Sequence, residues 1–295
     1  MADTPPTIAG PKILLQGDSG AGKTFALGTL VDWAEKNNRP VRILFTENGL
    51  ETLLGYWTDP PLGSNGQPIR PPRPVPKNLA YHVVRTPALG LAALTDAANK
   101  VGLMSYEGLT KMTDPSRAMN NPYEKILKVL ADFPDDRTGA KLGNIGTWGS
   151  EAIFGIDSLS ELANACMKMT IGNKPTAAPP DYGVAQNNLI NLLRYLTQGF
   201  DPTLVVTAHL QRQTNEITGG VQLMVKAIGK AMSDDIPQLF SEVLYCRREG
   251  TDWLWDTAAI GVSTKTRYLP ISSKIKPDLG VIMDKWVKRG AAATA

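Results

Sequence analysis

The sequence predicts an α/β fold in which a mostly parallel central sheet is flanked by helices. The first observation is a short apolar run at residues 12–16, which is typical of a buried strand and ends in a glycine-rich turn. The second is the helical spacing of apolar residues over 23–37, followed after Pro40 by a strand over 41–46. A strand, a helix and a second strand in this order form the unit from which parallel sheets are built.

The later elements follow along the chain. Strands are predicted over residues 79–85, 152–156 and 203–207, and helices over residues 87–101, 122–133, 159–169 and 184–197. Residues 237–246 and 253–262 are expected to complete the sheet. The sequence leaves open whether these last strands pair in an antiparallel direction. Residues 60–77 are rich in proline and hold no acidic residue, so we expect an extended surface loop there. Residues 211–230 contain glycines and are expected to be irregular.

One domain is expected, because the sequence has no internal repeat and no linker before a second hydrophobic core. It spans residues 11–288, with an insertion at about 56–120 after the second strand and short tails at 1–10 and 289–295. Cys166 and Cys246 lie in apolar surroundings without metal-ligand spacing, so buried free thiols are expected.

Composition excludes several classes of protein. The sequence shows no signal peptide and no apolar run near the roughly 20 residues of a membrane helix. We therefore expect a soluble protein of a reducing cytoplasm with no membrane partner. The net charge of +3 is close to neutral. Nucleic-acid binding would therefore require basic residues gathered on one face.

The glycine-rich turn after the first strand fits the pattern G-x-x-x-x-G-K-[ST] of a phosphate-binding loop. Glycines allow backbone N–H groups to surround phosphates, and the following helix directs its positive dipole end at them. In this pattern Lys23 reaches the β- and γ-phosphates and Thr24 ligates Mg²⁺. ATP and Mg²⁺ are therefore the predicted cofactors. The nucleotide-binding residues are Gly17, Asp18, Ser19, Gly20, Ala21, Gly22, Lys23 and Thr24.

Asp157 ends a later apolar strand, where a carboxylate can hold magnesium beside Thr24. The alternative is a helix cap, because Asp157 and Ser158 precede a helix. Ser158 also means that no acidic residue follows Asp157, so a catalytic base must come from elsewhere. Glu47, at the end of the second strand, is our candidate, because ligands bind at the carboxyl ends of parallel strands. Glu51 is the second choice.

These motifs resemble the RecA-like recombinases. The resemblance lies in residues 43–47 (ILFTE), 153–159 (IFGIDSL) and 203–209 (TLVVTAH). His209, with residues 229–232 and 265–267, is similar to the corresponding places of small phage-encoded RecA-like ATPases. These include the Sak-type single-strand annealing proteins and related phage nucleotide-binding proteins. The insertion at 56–120 departs from the compact RecA-like P-loop NTPase core.

The resemblance implies a Mg²⁺-dependent ATPase acting on single-stranded DNA in phage recombination, annealing or replication, within the cytoplasm of the bacterial host cell. Glu47 would activate water, Lys23 would stabilise the transferring phosphoryl group, and His209 would sense the γ-phosphate. The alternative for His209 is a core histidine at a strand end. A homo-oligomer, as ring or filament, and a single-strand binding protein are the implied protein partners.

The resemblance also implies where DNA and a neighbouring subunit bind. Loops at residues 171–181 and 211–236 would face DNA, with Arg212, Lys226 and Lys230 contacting phosphates; solvated loops are the alternative. Lys265 and Arg267 would reach the ATP of the adjacent subunit, or would be ordinary exposed strand residues.

Two other functions stay open. A small-molecule kinase would need an arginine-rich lid, for which the insertion offers Arg70, Arg73, Arg85 and Arg117. A loader or mediator protein would use ATP only as an assembly switch.

Overall fold

Short runs of buried apolar residues build the central sheet in a computed structural model of the protein. The structure describes residues 9–62, 66–85, 121–172, 177–214 and 219–294, with a few single positions between 91 and 108. The strands are β1 Lys12–Gly17, β2 Val41–Phe45, β3 Leu79–Val83, β4 Ile153–Asp157, β5 Thr203–Ala208, β6 Leu210–Thr214, β7 Val221–Val225, β8 Glu242–Glu249 and β9 Asp252–Asp256.

Seven of these strands form one sheet in the order β3-β2-β4-β5-β1-β8-β9, and β6 pairs with β7 in a separate hairpin. All neighbours in the large sheet are parallel except β8 and β9. The predicted α/β class with a mostly parallel sheet is confirmed.

Helices cover both faces of this sheet. They are α1 Lys23–Lys36, α2 Leu50–Thr58, α3 Pro122–Ala131, α4 Leu159–Ile171, α5 Pro179–Gln198, α6 Gly229–Asp235 and α7 Leu279–Thr294, with 3-10 turns at Ile145–Thr147 and Ile236–Leu239. One hydrophobic cluster packs α3, α4 and α5 on one face, and a second packs α1, α2 and α7 on the other. No helix in the described ranges is long and apolar enough to cross a membrane.

Four segments differ from the sequence-based prediction. Helix α2 was not predicted, and it extends into the assigned insertion at residue 56. The segment 211–230, expected to be irregular, is the antiparallel hairpin of β6 and β7 followed by the start of α6. Helix α5 begins at Pro179 and so takes up the end of the predicted loop 171–181. Helix α7 runs through most of the predicted tail 289–295. The predicted helix over 87–101 lies largely outside the described residues.

The remaining strands and helices lie where they were expected, but β9 ends at Asp256 rather than at residue 262. Strand β8 begins at Glu242, later than predicted, because the residues before it form the turn Ile236–Leu239. Both cysteines are buried free thiols, as expected. Because β1, β2, β4 and β5 are parallel, the polar residues that follow or end these strands meet at one edge of the sheet.

Candidate functional site

The glycine-rich loop begins at the last residue of β1 and ends where α1 begins. Gly20 and Gly22 have φ angles of 77° and 80°, in the left-handed region that other residues adopt only with strain. Gly22 is the N-cap of α1 and offers no side-chain cap, so no capping side chain occupies the amides of the first turn. Such amides at a helix N-terminus form an anion-binding site.

Lys23 lies beneath this loop and is only 5% exposed. Its Nζ donates to the carbonyl oxygens of Gly17 and Asp18, each at 2.8 Å. Burial lowers the pKa of Lys23, while the nearby Cys246 and Asp157 act in the opposite direction. The loop's own carbonyls thus hold the ammonium group at the start of the loop.

Asp157, the last residue of β4, is fully buried beside Thr24. Its Oδ2 accepts a hydrogen bond from Thr24 Oγ1 at 2.8 Å, and its Oδ1 accepts one from Thr207 Oγ1. Burial raises the pKa of Asp157, and the hydrogen bonds from Thr207 and Thr24 oppose that rise. The N-cap of α4 is Ser158 rather than Asp157, so the alternative of Asp157 as a helix cap is wrong.

The Thr24 hydroxyl and the Asp157 carboxylate are the oxygen donors that Mg²⁺ prefers. Within the described ranges, no group of three or more His, Cys, Asp or Glu residues is placed to hold a metal. A site with two protein oxygens nevertheless fits Mg²⁺, which binds few side chains and completes its shell with phosphate and water. The donor set therefore fits the predicted cofactor.

Glu47 and His209 face each other across the same cavity. His209 Nε2 lies 3.2 Å from Glu47 Oε2, and the two side chains are 28% and 25% exposed. Burial acts to raise the pKa of Glu47, but the hydrogen bond and charge of His209, with Ser158 and Lys23, hold that pKa below its ordinary value. His209 is therefore not a core histidine. Glu51, the second choice as base, is exposed on α2 and does not line the cavity.

His209 also connects the cavity to the β6–β7 hairpin. Its backbone N–H donates to Ser160 Oγ at 3.0 Å, and Ser160 Oγ donates to the carbonyl of Lys226 at 3.1 Å. The Lys226 N–H in turn donates to the His209 carbonyl at 2.8 Å. These bonds fix the base of the hairpin to the residue that contacts Glu47.

The cavity has a volume of about 540 Å³. The glycine-rich loop, Glu47 and His209 line it together with residues of α2 and with Trp253 of β9. Sequence reasoning missed three residues of this site: Thr207, Gly49 and Trp253. Thr207 donates a hydrogen bond to Asp157, Gly49 lies against Asp157, and Trp253 contacts the glycine-rich loop. These contacts join residues that are distant in the sequence.

The residues predicted to contact DNA and a neighbouring subunit do not line the cavity. Arg212, Lys226 and Lys230 are exposed, on the hairpin or at the start of α6. The backbone of Lys265 forms an isolated bridge to Val243, and neither Lys265 nor Arg267 lies in one of the described strands. Both residues lie near the first residues of β8, whereas the glycine-rich loop begins beside Cys246, further along that strand.

The arginines considered as a kinase lid have other partners. Arg73 forms ion pairs with Asp32 and Glu35 of α1 at 2.6 and 2.8 Å. The Arg70 guanidinium stacks 3.5 Å from the centre of the Tyr56 ring. Arg85 is exposed, and Arg117 lies outside the described residues.

Comparison with known proteins does not assign this chain to a family. Neither a scan against protein-family models nor a search of the curated proteins gave a match to this chain.

Proposed function

We propose that this chain is a RecA-like P-loop ATPase that binds Mg²⁺ and ATP, hydrolyses the nucleotide, and acts on single-stranded DNA in phage recombination, annealing or replication. The observation that carries the proposal is the convergence of three groups around one cavity. These are the loop with Lys23 and the pair of Glu47 and His209, which line the cavity, and the buried Asp157, which accepts a hydrogen bond from the lining residue Thr24. Phosphoryl transfer to water requires these three functions together.

Each group has a separate task. Lys23 and the loop amides bind the phosphates and stabilise charge on the transferring phosphoryl group. Thr24 and Asp157 hold Mg²⁺, which neutralises charge on the phosphate oxygens when bound. Glu47, kept ionised by its lowered pKa, orients and polarises the attacking water. His209 positions Glu47 and links it to the hairpin.

The DNA part of the proposal is supported by the hairpin. Arg212, Lys226 and Lys230 are exposed, and none of them makes a salt bridge within the described part of the chain. The hydrogen bonds from His209 to Ser160 and from Lys226 to His209 give a physical route between nucleotide and hairpin. Phosphate contacts would carry the affinity, so binding would depend strongly on salt. A homo-oligomer would complete the site through Lys265 and Arg267.

A loader that uses ATP only as an assembly switch is the second candidate, because His209 ties the nucleotide cavity to an exposed hairpin without requiring turnover. A kinase is less well supported, because Arg73 is paired to α1 and Arg70 stacks on Tyr56.

ATP turnover measured with and without single-stranded DNA tests the proposal. We expect Mg²⁺-dependent hydrolysis that DNA accelerates and that Lys23→Ala abolishes together with ATP binding. Tight ATP binding without turnover would favour the loader. Unchanged ATP affinity in Lys23→Ala would refute the nucleotide site itself.

A further inference from the structure

Trp253 contacts the glycine-rich loop from outside the segment that forms it. Its indole Nε1–H donates to the carbonyl oxygen of Gly20 at 3.2 Å. Its ring also lies so close to Gly22 that a Cβ there would be 2.9 Å from the Trp253 Cγ atom. The ring also packs against Phe25, with 4.7 Å between ring centroids. The indole therefore touches the tip and the end of the loop.

The hydrogen bond from Trp253 falls on the Gly20–Ala21 peptide group of the loop. Glycines give the loop many accessible conformations, and a ligand that orders them loses affinity to that entropy. In the Gly20–Ala21 peptide the carbonyl accepts from Trp253, and the N–H donates to the Asp18 carbonyl at 3.2 Å. Both hydrogen-bonding groups of this peptide are thus engaged within the protein itself.

The sheet holds Trp253 itself in place. Trp253 lies in β9, opposite Arg248 of the antiparallel strand β8. Strand β8 also pairs Cys246 with Gly17, the first residue of the loop. The same two strands therefore fix the beginning of the loop through the backbone and its tip through the indole.

We propose that Trp253 is a positioning residue that holds the glycine-rich loop in its phosphate-binding conformation before the nucleotide arrives. This inference rests on the proposed function, because it needs the loop to bind phosphates. The nucleotide contacts the loop, and the indole acts through Gly20 and Gly22. Trp253 should therefore strengthen the binding of the phosphates, by the same factor whatever base the nucleotide carries.

Two substitutions separate the contacts of the indole. Trp253→Phe keeps the atoms that pack on Gly22 and removes the N–H donor, and Trp253→Ala removes both. Loss of one neutral hydrogen bond that preorganises the loop should raise the Kd about fivefold in Trp253→Phe. Trp253→Ala should raise it by about tenfold or more. Arg248→Ala, at the paired position on β8, is the matched control and should bind as wild type does.

Isothermal titration with ATP and with inorganic pyrophosphate provides the test, with thermal unfolding of each nucleotide-free variant. We expect Trp253→Phe to weaken both ligands by the same factor while the unfolding temperature stays near that of wild type. Unchanged affinity for both ligands would overturn the inference, provided that Lys23→Ala abolishes binding. Weaker ATP binding with unchanged pyrophosphate binding would also overturn it, because the indole would then contact the nucleoside. If Lys23→Ala binds ATP normally, the proposed function fails first.

Discussion

Gly49 is the position where one added methyl group should disable the proposed magnesium site. It is buried at the N-cap of α2, just after Glu47, with a φ angle of −98° that alanine adopts without strain. A Cβ there would lie 2.3 Å from Asp157 Oδ2 and 3.1 Å from atoms of the Phe45 ring. Gly49→Ala therefore tests a steric contact with little change in backbone preference.

The size of the effect follows from that distance. Ordinary van der Waals contact begins about 1 Å further out, so either the Asp157 carboxylate or the residues after Glu47 must move by about that much. Asp157 has little freedom, because Thr24 and Thr207 both donate to it. A displacement of about 1 Å at a reacting centre can cost on the order of 100-fold in rate. We expect a loss of that order in Mg²⁺-dependent ATP turnover.

The assay is steady-state ATP hydrolysis over a range of Mg²⁺ concentrations, with ATP affinity measured separately in the absence of Mg²⁺. The affinity for ATP without Mg²⁺ should stay near that of wild type, because the added methyl group does not contact the glycine-rich loop. Gly183→Ala on α5 is the control: nothing lies within 4 Å of its Cβ position, and alanine suits a helix better than glycine does. Wild-type turnover in a folded Gly49→Ala protein would refute the assigned magnesium site.

Two further predictions concern the hairpin and the core. Replacing Arg212, Lys226 and Lys230 together with alanine should weaken the binding of single-stranded DNA to the same extent for all DNA sequences. The dependence of the affinity on salt concentration should also become less steep. If oligonucleotide titrations show an unchanged salt dependence, DNA binds elsewhere on the protein. Burial lowers the pKa of Lys12 from 10.5 to about 8, so the unfolded chain binds more protons between these values. The unfolding free energy of wild type minus that of Lys12→Met should therefore rise by about 3 kcal/mol from pH 8 to 10.5 in denaturant titrations; a flat difference would contradict this.

The local pattern of the sequence was sufficient for the first part of the fold. The strand, loop and helix around Gly17 to Thr24 depend on short-range periodicity and on a motif of fixed spacing, and the structure has them within a residue or two. Asp157 and Glu47 could be placed because parallel strands end at one edge. The RecA-like identity and the DNA partner stay predictions.

Other elements were missed for physical reasons. Helix α2 follows directly after the catalytic candidate and joins a proline-rich segment, so its short apolar face was not distinguished from a loop. The β6–β7 hairpin is glycine-flanked and half-exposed, which weakens the alternating pattern of a strand. Gly49, Thr207 and Trp253 belong to the site through contacts with residues distant in the chain, and sequence spacing does not report such contacts.

Single-turnover hydrolysis of ATP by Glu47→Gln tests the central claim most directly, which is that one cavity binds ATP and activates water for its hydrolysis. The amide keeps the size of the side chain and a hydrogen-bonding group facing His209, but it cannot polarise water as a carboxylate does. We predict ATP affinity near that of wild type and a rate of bond cleavage lower by about 10²–10⁴-fold. Glu51→Gln, at an exposed position of α2 outside the cavity, should cleave ATP at the wild-type rate. Full activity in Glu47→Gln with loss of activity in Glu51→Gln would contradict the account.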